Sequence, residues 1–349
     1  MNVPQNPSSD ENTNATPAHP SVAVIGSGYW GKNLTRNFHE LGALKVICDK
    51  DFGTLAKLQT LYPKVETSSD FFKILARDDI QCVVIATPAE THYSMVKESL
   101  EAGKHVFVEK PFVLREDEGQ KLIDIAAPKG LTIMVGHVLQ YHPAFIKLKQ
   151  MVAAGELGEL QYIYSHRLNL GKIRREENIL WSFAPHDISM ILELAGELPE
   201  TVLTTGGNYL HEKIADVTTT HMEFISGLKA HIFVSWLHPF KEQKLVVVGT
   251  KKMAVLDDTL PWAEKLLMYP HEINMEGDVP VPNKANPQNV AIPESEPLKI
   301  ECLHFLKCVA GGLTPKTDAH EGLRVLKVLN MSQKSMDNQS RKLGVNVVE

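Results

Sequence analysis

The feature that most constrains the fold is a glycine motif between the first apolar segment and the first helical pattern. The apolar segment covers residues 21–25. The motif has the form G-x-G-x-x-G and consists of Gly26, Ser27, Gly28, Tyr29, Trp30 and Gly31. The first glycine permits a tight turn, the second allows a phosphate to approach the backbone, and the third lets the helix pack closely on the strand. The helix N-terminus stabilises the phosphate charge, so the motif predicts a dinucleotide site.

An acidic residue further along the chain agrees with this interpretation. Asp49 ends the second apolar segment, 18 residues after Gly31, where a carboxylate bonds the ribose 2′-hydroxyl of a dinucleotide. Such a carboxylate repels a 2′-phosphate and therefore favours NAD over NADP, although Lys50 beside it weakens that preference. The alternative is a glycine-rich turn followed by an unrelated surface aspartate.

The periodicity of apolar residues predicts two kinds of sheet. Apolar runs without alternation, typical of parallel strands covered on both faces, occupy residues 21–25, 45–48, 82–86, 105–108 and 132–135. Helical patterns lie between them, and glycines stand where these helices should stop, at Gly42, Gly103 and Gly130. Longer alternating runs, typical of an antiparallel sheet with one covered face, occupy residues 160–168, 217–225, 230–236 and 244–248.

The remaining segments of the second half have weaker patterns. A helix is expected at residues 143–153, and Ser226-Gly227 is a hairpin signal between two of the alternating runs. The stretch from residue 279 to 297 is rich in Pro and Asn and is expected to be a surface loop. Two final helices are predicted at residues 298–310 and 320–331.

Composition excludes several classes of function. The chain has 349 residues, which suggests two domains, and a net charge of −6, which gives no global basic field for a nucleic acid. Its apolar runs are too short to cross a membrane. The four cysteines, Cys48, Cys82, Cys302 and Cys308, form no C-x-x-C pair and are interpreted as core residues. The first 20 residues have no signal-peptide pattern, so a cytoplasmic protein is expected.

Two further stretches carry a family resemblance. The chain reads ATPAETH from residue 86 and EAGKHVFVEKP from residue 101. These motifs resemble the Gfo/Idh/MocA oxidoreductase family, and the Glu-Lys-Pro at residues 109–111 is the most specific of them. The resemblance covers residues 21 to 335. It implies an α/β Rossmann domain that binds NAD, followed by an α+β domain with an open, mainly antiparallel sheet.

The resemblance also implies a division of the chain. Residues 1–20 are expected to form a disordered tail, and residues 21–138 an NAD-binding Rossmann domain. Residues 139–349 are expected to form a domain for substrate binding and oligomerisation, whose last helices pack back on the first domain. Because an open sheet face needs a cover, we expect a homodimer or homotetramer assembled through this sheet.

A second block of motifs is similar to a narrower group. The chain reads RLNLG from residue 167, RREEN from residue 174 and LWSFAPHDIS from residue 180. These stretches resemble bacterial UDP-N-acetylglucosaminuronate 3-dehydrogenases, which belong to pathways of cell-surface polysaccharide biosynthesis. The resemblance implies NAD-dependent oxidation of the C3 hydroxyl of UDP-N-acetyl-glucosaminuronate to its 3-keto form, without a metal.

The catalytic residues that the resemblance implies are Lys110 and His186. A lysine at the carboxyl end of a parallel strand points into the crevice where dinucleotides bind and stabilises a developing oxyanion. Family members commonly carry an Asp four residues before the histidine, where this chain has Ser182. His186 is therefore the expected proton acceptor, and Asp187 is expected to have a helix-start or packing role. A solvated lysine and a packing histidine are the structural alternatives.

The remaining candidate residues fall into two groups. Expected cofactor contacts are Gly26, Gly28, Tyr29, Trp30, Gly31, Asp49, Thr87, Pro88, His92, Glu109 and Lys110. Expected substrate contacts are Lys110, Tyr141, Arg167, Asn169, Arg174, Asn178 and His186. Guanidinium forks suit a pyrophosphate or a uronate carboxylate, but the arginines are equally compatible with a solvated loop paired to Glu176 and Glu177. His137 and His142 are equally compatible with structural roles.

Two other functions remain open at this point. The first is NAD-dependent oxidation of another sugar or polyol, such as an inositol or a UDP-hexosamine that lacks the carboxylate. The second is a regulator that senses a dinucleotide without catalysis, although such a protein would not need Lys110 and His186.

Overall fold

A parallel sheet forms the N-terminal half of the computed structural model, which describes residues 19–338. The expected tail at residues 1–20 lies almost entirely outside this range. The elements are β1 (Val22–Ile25), α1 (Gly31–Glu40), β2 (Leu44–Cys48), α2 (Phe52–Leu61), β3 (Glu66–Ser68), α3 (Phe71–Leu75), β4 (Cys82–Ile85), α4 (His92–Glu101), β5 (His105–Glu109), α5 (Glu116–Ala126) and β6 (Ile133–Gly136). All six strands are parallel, in the order β3-β2-β1-β4-β5-β6.

The order of this sheet reverses direction at β1, which places a crevice at the carboxyl ends of β1 and β4. Dinucleotides bind at such a switch point in doubly wound sheets. The five predicted strands match β1, β2, β4, β5 and β6 to within one residue at each end. The sequence interpretation missed β3, which is short and lies at the sheet edge. Gly42 and Gly103 follow α1 and α4 with left-handed φ values of 71° and 74°, as expected for helix stops.

A second sheet, of eight strands, organises the C-terminal half. The elements are α6 (Pro143–Ala153), β7 (Leu160–Leu168), α7 (Ile179–Ala195), β8 (Thr201–Gly207), β9 (Val217–Glu223), β10 (Lys229–Ser235), β11 (Glu242–Gly249), β12 (Met253–Asp257), β13 (Leu266–Tyr269), β14 (Glu272–Glu276), β15 (Val279–Asn283), β16 (Gln288–Asn289), α8 (Pro297–Gly311) and α9 (Ala319–Asp337). The order is β16-β13-β12-β11-β7-β10-β9-β8, and only β7 and β10 pair in parallel.

Several expectations for this half are confirmed and one is wrong. The helix at residues 143–153 and the strand at residues 160–168 have the predicted bounds, and Ser226-Gly227 lies in the hairpin between β9 and β10. The predicted loop at residues 279–297 instead contains two strands: the alternating Val and Pro residues of β15 pair with β14 in a hairpin, and the short β16 pairs with β13.

The inner face of the eight-stranded sheet packs against α7 and forms the larger apolar core. Ile188 and Ile191 of α7 contact strand residues such as Ile163 and Ile232. Along β7 the side chains alternate between buried and partly exposed, so Tyr162, Tyr164 and His166 lie on the outer face. This alternation is what a sheet with one covered face requires.

The last two helices return to the N-terminal half. Phe305 of α8 lies 6.4 Å from Phe38 and 5.7 Å from Phe107, measured between ring centroids. Helix α9 contributes Leu326 to the core beside β6 and Leu329 to the core beside α7. The two halves therefore share helices, as the expected return of the last helices requires.

All four cysteines are free and buried, which confirms their interpretation as core residues. Within residues 19–338, no helix combines the length and the apolar character that crossing a bilayer requires.

Candidate active site

The glycine motif forms the turn between β1 and α1. Gly26 has a φ of 83°, and a Cβ there would lie 2.9 Å from the Ala86 oxygen. A Cβ on Gly31 would lie 1.9 Å from the Gly26 oxygen, so only glycine allows the helix to start this close to the strand. A Cβ on Gly28 would meet no atom within 4 Å, which leaves open space beside the backbone. This geometry fits a bound pyrophosphate at the start of α1.

Asp49 is held beside the glycine motif by two backbone amides. Its Oδ2 accepts from Ser27 N at 2.7 Å, and its Oδ1 accepts from Asp51 N at 2.9 Å. These bonds connect the end of β2 to the turn after β1 and fix the carboxylate at the edge of the crevice. The position suits a hydrogen bond to a ribose hydroxyl.

Tyr29 and Trp30 extend from the motif in different directions. Trp30 Nε1 donates to Glu109 Oε1 at 2.6 Å, whereas the Tyr29 side chain is 70% exposed. The ammonium of Lys172, from the loop after β7, lies 5.4 Å from the centre of the Tyr29 ring. The loop after β7 therefore lies against the glycine motif. Burial raises the pKa of Glu109 to about 6, although the bond from Trp30 opposes this shift.

Two of the expected cofactor residues after β4 have structural contacts. Thr87 Oγ1 lies 2.7 Å from Thr91 Oγ1, and Pro88 precedes a single 3₁₀ turn. His92 is 1% exposed, and its ring nitrogens lie 2.8 Å from the Pro111 oxygen and 2.9 Å from the Thr87 oxygen. Because both nitrogens face backbone carbonyls, His92 connects the segment after β4 to the segment after β5, and its ring is not available to a cofactor.

Lys110 directly follows β5 and precedes a cis peptide bond to Pro111. Its Nζ donates to the backbone oxygen of Ser182 at 2.9 Å. Ser182 itself is buried, and its Oγ has no hydrogen-bond partner among the described residues. Burial lowers the pKa of Lys110, with Glu177 opposing this shift and Arg174 adding to it. The lysine is therefore oriented by a neutral backbone carbonyl.

His186 lies on α7, one helical turn after Ser182. Its Nδ1 is buried and has no partner within residues 19–338. His186 as a residue is partly exposed, so Nε2 is the ring nitrogen that remains available to a ligand. Burial lowers the pKa of His186 well below its ordinary value, and the charges of Lys110 and Arg167 lower it further. The ring is therefore neutral near pH 7, as a proton acceptor must be.

Arg167 is not free to bind a substrate. Its Nε donates to Asp187 Oδ2 at 2.8 Å and its Nη2 to Asp187 Oδ1 at 3.0 Å, and both residues are buried. Ser165 Oγ donates to the same carboxylate at 2.5 Å. Of the two roles expected for Asp187, the helix start is wrong because this residue lies in the middle of α7, and the packing role is confirmed. Its role is a buried ion pair between α7 and β7.

The polar atoms of two other expected substrate residues are bonded within the protein. Tyr141 is fully buried, and its hydroxyl lies 3.0 Å from Thr317 Oγ1, so it is part of the core. Asn178 caps α7, because its Oδ1 accepts from Trp181 N at 3.2 Å, and its Nδ2 donates to Gln333. The polar character of these residues serves interior contacts, which the local sequence does not distinguish from ligand binding.

The loop between β7 and α7 carries the cations that remain available. It contains Asn169, Lys172, Arg174 and Arg175. Arg174 pairs with Glu177 at 3.0 Å, and this pair lies close enough to Lys110 to influence its pKa. Lys172 is not among the predicted site residues, although it belongs to the same basic run. The loop therefore lies between the glycine motif and Lys110.

Comparisons with known proteins agree with this geometry. Residues 21–137 match the family model of the oxidoreductase family with an NAD-binding Rossmann fold, and residues 145–255 match the GFO/IDH/MocA C-terminal domain. The UDP-N-acetylglucosamine 3-dehydrogenase of Acidithiobacillus ferrooxidans is 26% identical, covering 88% of this chain and 94% of that protein. A solved structure of that enzyme has a TM-score of 0.81 at 24% identity, covering 92% of this chain and 98% of that chain.

Other relatives act on different compounds. The 2,7-anhydro-N-acetylneuraminate hydratase of Escherichia coli strain K12 is 25% identical, covering 68% of this chain and 67% of that protein. A levoglucosan dehydrogenase in complex with NADH and levoglucosan has a TM-score of 0.79 at 19% identity, covering 92% of this chain and 98% of that chain. With both of its domains matched by models of one family, the chain belongs to the Gfo/Idh/MocA family of NAD-binding oxidoreductases.

Proposed function

We propose that this protein oxidises the C3 hydroxyl of UDP-N-acetyl-glucosaminuronate to a ketone with NAD. The contact between Lys110 Nζ and the Ser182 oxygen carries the proposal. It joins the end of β5 to α7 one turn before His186 and next to the glycine motif. A cationic donor and a neutral histidine therefore meet beside the expected cofactor.

The two residues have complementary roles in this reaction. His186 Nε2 accepts the hydroxyl proton, and the Lys110 ammonium donates a hydrogen bond to the same oxygen as negative charge develops there. When bound, NAD supplies the acceptor for the hydride that leaves C3. The C–H and O–H bonds break, the carbon–oxygen double bond forms, and the proton resides on His186.

The basic loop supports a nucleotide-sugar substrate. Lys172, Arg174 and Arg175 outnumber the acidic residues Glu176 and Glu177 in this segment. A diphosphate or a uronate carboxylate offers the paired oxygens that guanidinium groups bind. Asn169, at the end of β7, is available for a sugar hydroxyl.

A second candidate substrate is UDP-N-acetylglucosamine without the carboxylate. The pairing of Arg167 with Asp187 favours it, because that pair removes one guanidinium that a carboxylate would need. The similarity to a UDP-N-acetylglucosamine 3-dehydrogenase points in the same direction.

An assay of purified protein by NADH absorbance separates these substrates. We expect turnover of the uronate to exceed that of the uncharged sugar, and Arg174→Ala to lower turnover of the uronate more than that of the uncharged sugar. Lys121→Ala, far from the loop, is the matched control. Faster turnover of the uncharged sugar would select the second candidate, and turnover of inositol alone would reject both.

We also propose that a second copy of the chain covers the outer face of the eight-stranded sheet. Tyr164 stacks on His231 with 5.4 Å between ring centroids, and Phe233 packs edge-on against His166. The partly exposed Val248, which pairs with Tyr162, extends this partly apolar surface onto β11. A contiguous surface of this kind is typical of a symmetric interface.

A further inference from the structure

A buried contact beside His186 joins residues that are far apart in the sequence. His137, in the turn after β6, is 1% exposed, and its Nδ1 lies 2.6 Å from Glu321 Oε2. The ring of His137 lies edge-on to the ring of His186, with 6.4 Å between centroids and an interplanar angle of 81°. The side chain of Glu321 is 11% exposed. The His137–Glu321 pair is therefore shielded from solvent and lies directly beside His186.

The second oxygen of Glu321 binds the catalytic helix itself. Ser189 Oγ donates to Glu321 Oε1 at 2.5 Å. Ser189 follows His186 by three residues on α7, so the two side chains lie on neighbouring positions of one helix face. Gln140 Nε2, from the turn after β6, also contacts Ser189, at 2.9 Å to Oγ and 3.0 Å to the backbone oxygen. One carboxylate and one amide thus hold the turn of α7 that carries His186.

The backbone fixes Glu321 in this place. Thr317 O accepts from Val135 N at 2.8 Å, so the segment before α9 lies beside β6. Asp318 caps the helix by accepting from Glu321 N at 2.8 Å. A Cβ on Gly322 would lie 2.6 Å from Val135 Cγ2, which shows how closely α9 approaches the strand. Few conformations remain for the Glu321 side chain.

We propose that His137 and Glu321 are positioning residues that hold the His186 ring with Nε2 toward the reacting hydroxyl. A histidine that is bonded at one nitrogen to a carboxylate has a fixed tautomer and ring orientation. Among residues 19–338, His186 has no such partner, because its own Nδ1 is unbonded there. Two sets of contacts restrict the orientation of the His186 ring. The ring of His137 packs against it, and the hydrogen bonds to Ser189 hold the turn of α7 that carries it. This inference rests on the proposed role of His186 as the base.

Kinetic measurements on Glu321→Ala and His137→Ala test the proposal. We expect kcat to fall about 10- to 100-fold, as is usual when residues that orient a reacting group are removed. KM and the affinity for NADH should stay within about twofold, because neither residue contacts the expected cofactor or substrate. Glu321→Gln keeps the shape of the side chain and should recover most of kcat. Ser332→Ala, a buried position on the same helix, is the control and should leave kcat unchanged.

A measurement without substrate separates this inference from the proposed function. The NMR signals of the His186 ring, assigned with His186→Gln, should report one tautomer in the wild-type protein and a mixture of ring orientations in Glu321→Ala. If the signals behave in this way but no UDP-sugar is oxidised, the positioning role stands and the substrate is wrong. Unchanged ring signals, or a kcat within twofold of wild type in both alanine variants, would overturn the positioning role.

Discussion

The ammonium group of Lys110 and the backbone oxygen of Ser182 are 2.9 Å apart and form a hydrogen bond between the two halves of the molecule. The bond crosses from β5 to α7 and brings the lysine within one helical turn of His186. A backbone carbonyl cannot ionise, so it orients the lysine without stabilising its positive charge as a carboxylate would.

Replacing Lys110 by alanine should remove the donor to the reacting oxygen. We expect turnover to fall about 10²- to 10³-fold, the loss typical of one donor that stabilises a developing oxyanion. NADH binding, measured by fluorescence, should persist because the glycine motif and Asp49 are untouched. Unchanged turnover would remove Lys110 from the mechanism.

The pH profile of kcat should have an acid limb and an alkaline limb, each displaced from the ordinary pKa of the residue that causes it. His186 must be neutral to accept a proton, and burial lowers its pKa, so activity should persist below the ordinary histidine value of about 6.5. Lys110 must be charged to act as a cationic donor, and burial lowers its pKa, so activity should decline below the ordinary lysine value of about 10.4. A rate profile from pH 5 to pH 10.5 tests both limbs.

The variant Ser182→Asp should move the alkaline limb to higher pH. Because His186 lies one helical turn away, the new carboxylate should also raise the pKa of that ring and move the acid limb in the same direction. A carboxylate near Nζ favours the charged lysine and raises its pKa, so the decline should move to higher pH. Ser182→Asn has a similar shape without the charge and serves as the control. A shift of the alkaline limb to lower pH, or equal shifts in both variants, would contradict the role given to Lys110.

Asp49 should determine the choice between NAD and NADP. We expect Asp49→Ala to weaken NAD binding by about 1.5–3 kcal/mol, the usual contribution of a hydrogen bond to a charged group. Binding of NADP should weaken less or improve, because the repulsion of its 2′-phosphate is removed. Asp51→Ala, which removes only the cap of α2, should leave the preference intact. Calorimetric titration with both dinucleotides makes the comparison.

The effects of replacing Arg167 and Asp187 on the free energy of unfolding should not be additive, because the two residues form one buried ion pair. Arg167→Ala leaves a buried carboxylate without its partner and should destabilise the fold by about 3–5 kcal/mol. The double variant Arg167→Met/Asp187→Leu removes both charges and should be destabilised less than either single variant. Arg174→Ala, whose pair with Glu177 is partly exposed, should cost at most about 1 kcal/mol. Urea unfolding provides the measurements.

The outer sheet face should control assembly. We expect the wild-type chain to sediment as a dimer or tetramer at micromolar concentration and Phe233→Glu to sediment as a monomer, because a charge would be buried in the interface. Leu61→Glu, at an exposed position of α2, should not change the assembly. A wild-type monomer would contradict the proposal.

The parts of the site that could be predicted from sequence are those encoded by neighbouring residues. The glycine motif and Glu-Lys-Pro are local, and the periodicity around them located the strands of the first sheet. Asp49 could be placed because a βα unit has a nearly fixed length. Lys110 and His186 are predicted from such motifs, and the fold brings these two residues close together.

The missed features depend on contacts between distant segments. Arg167 resembled a substrate ligand because nothing near it indicates that Asp187, on the following helix, would turn inward to meet it. His137 and Glu321 are 184 residues apart, and only the return of α9 to β6 brings them together. Tyr141 is predicted in the crevice because the sequence does not distinguish a tyrosine whose hydroxyl is bonded in the core from one whose hydroxyl binds a ligand.

The packing of α8 on β1 and α1 has a consequence for how the protein is made. Leu298, Cys302 and Phe305 complete the core between Val24, Phe38 and Phe107. During synthesis these residues leave the ribosome more than 150 residues after the cofactor domain has been translated, although domains commonly fold as they emerge. The nascent cofactor domain therefore has part of its apolar surface uncovered until α8 has been synthesised.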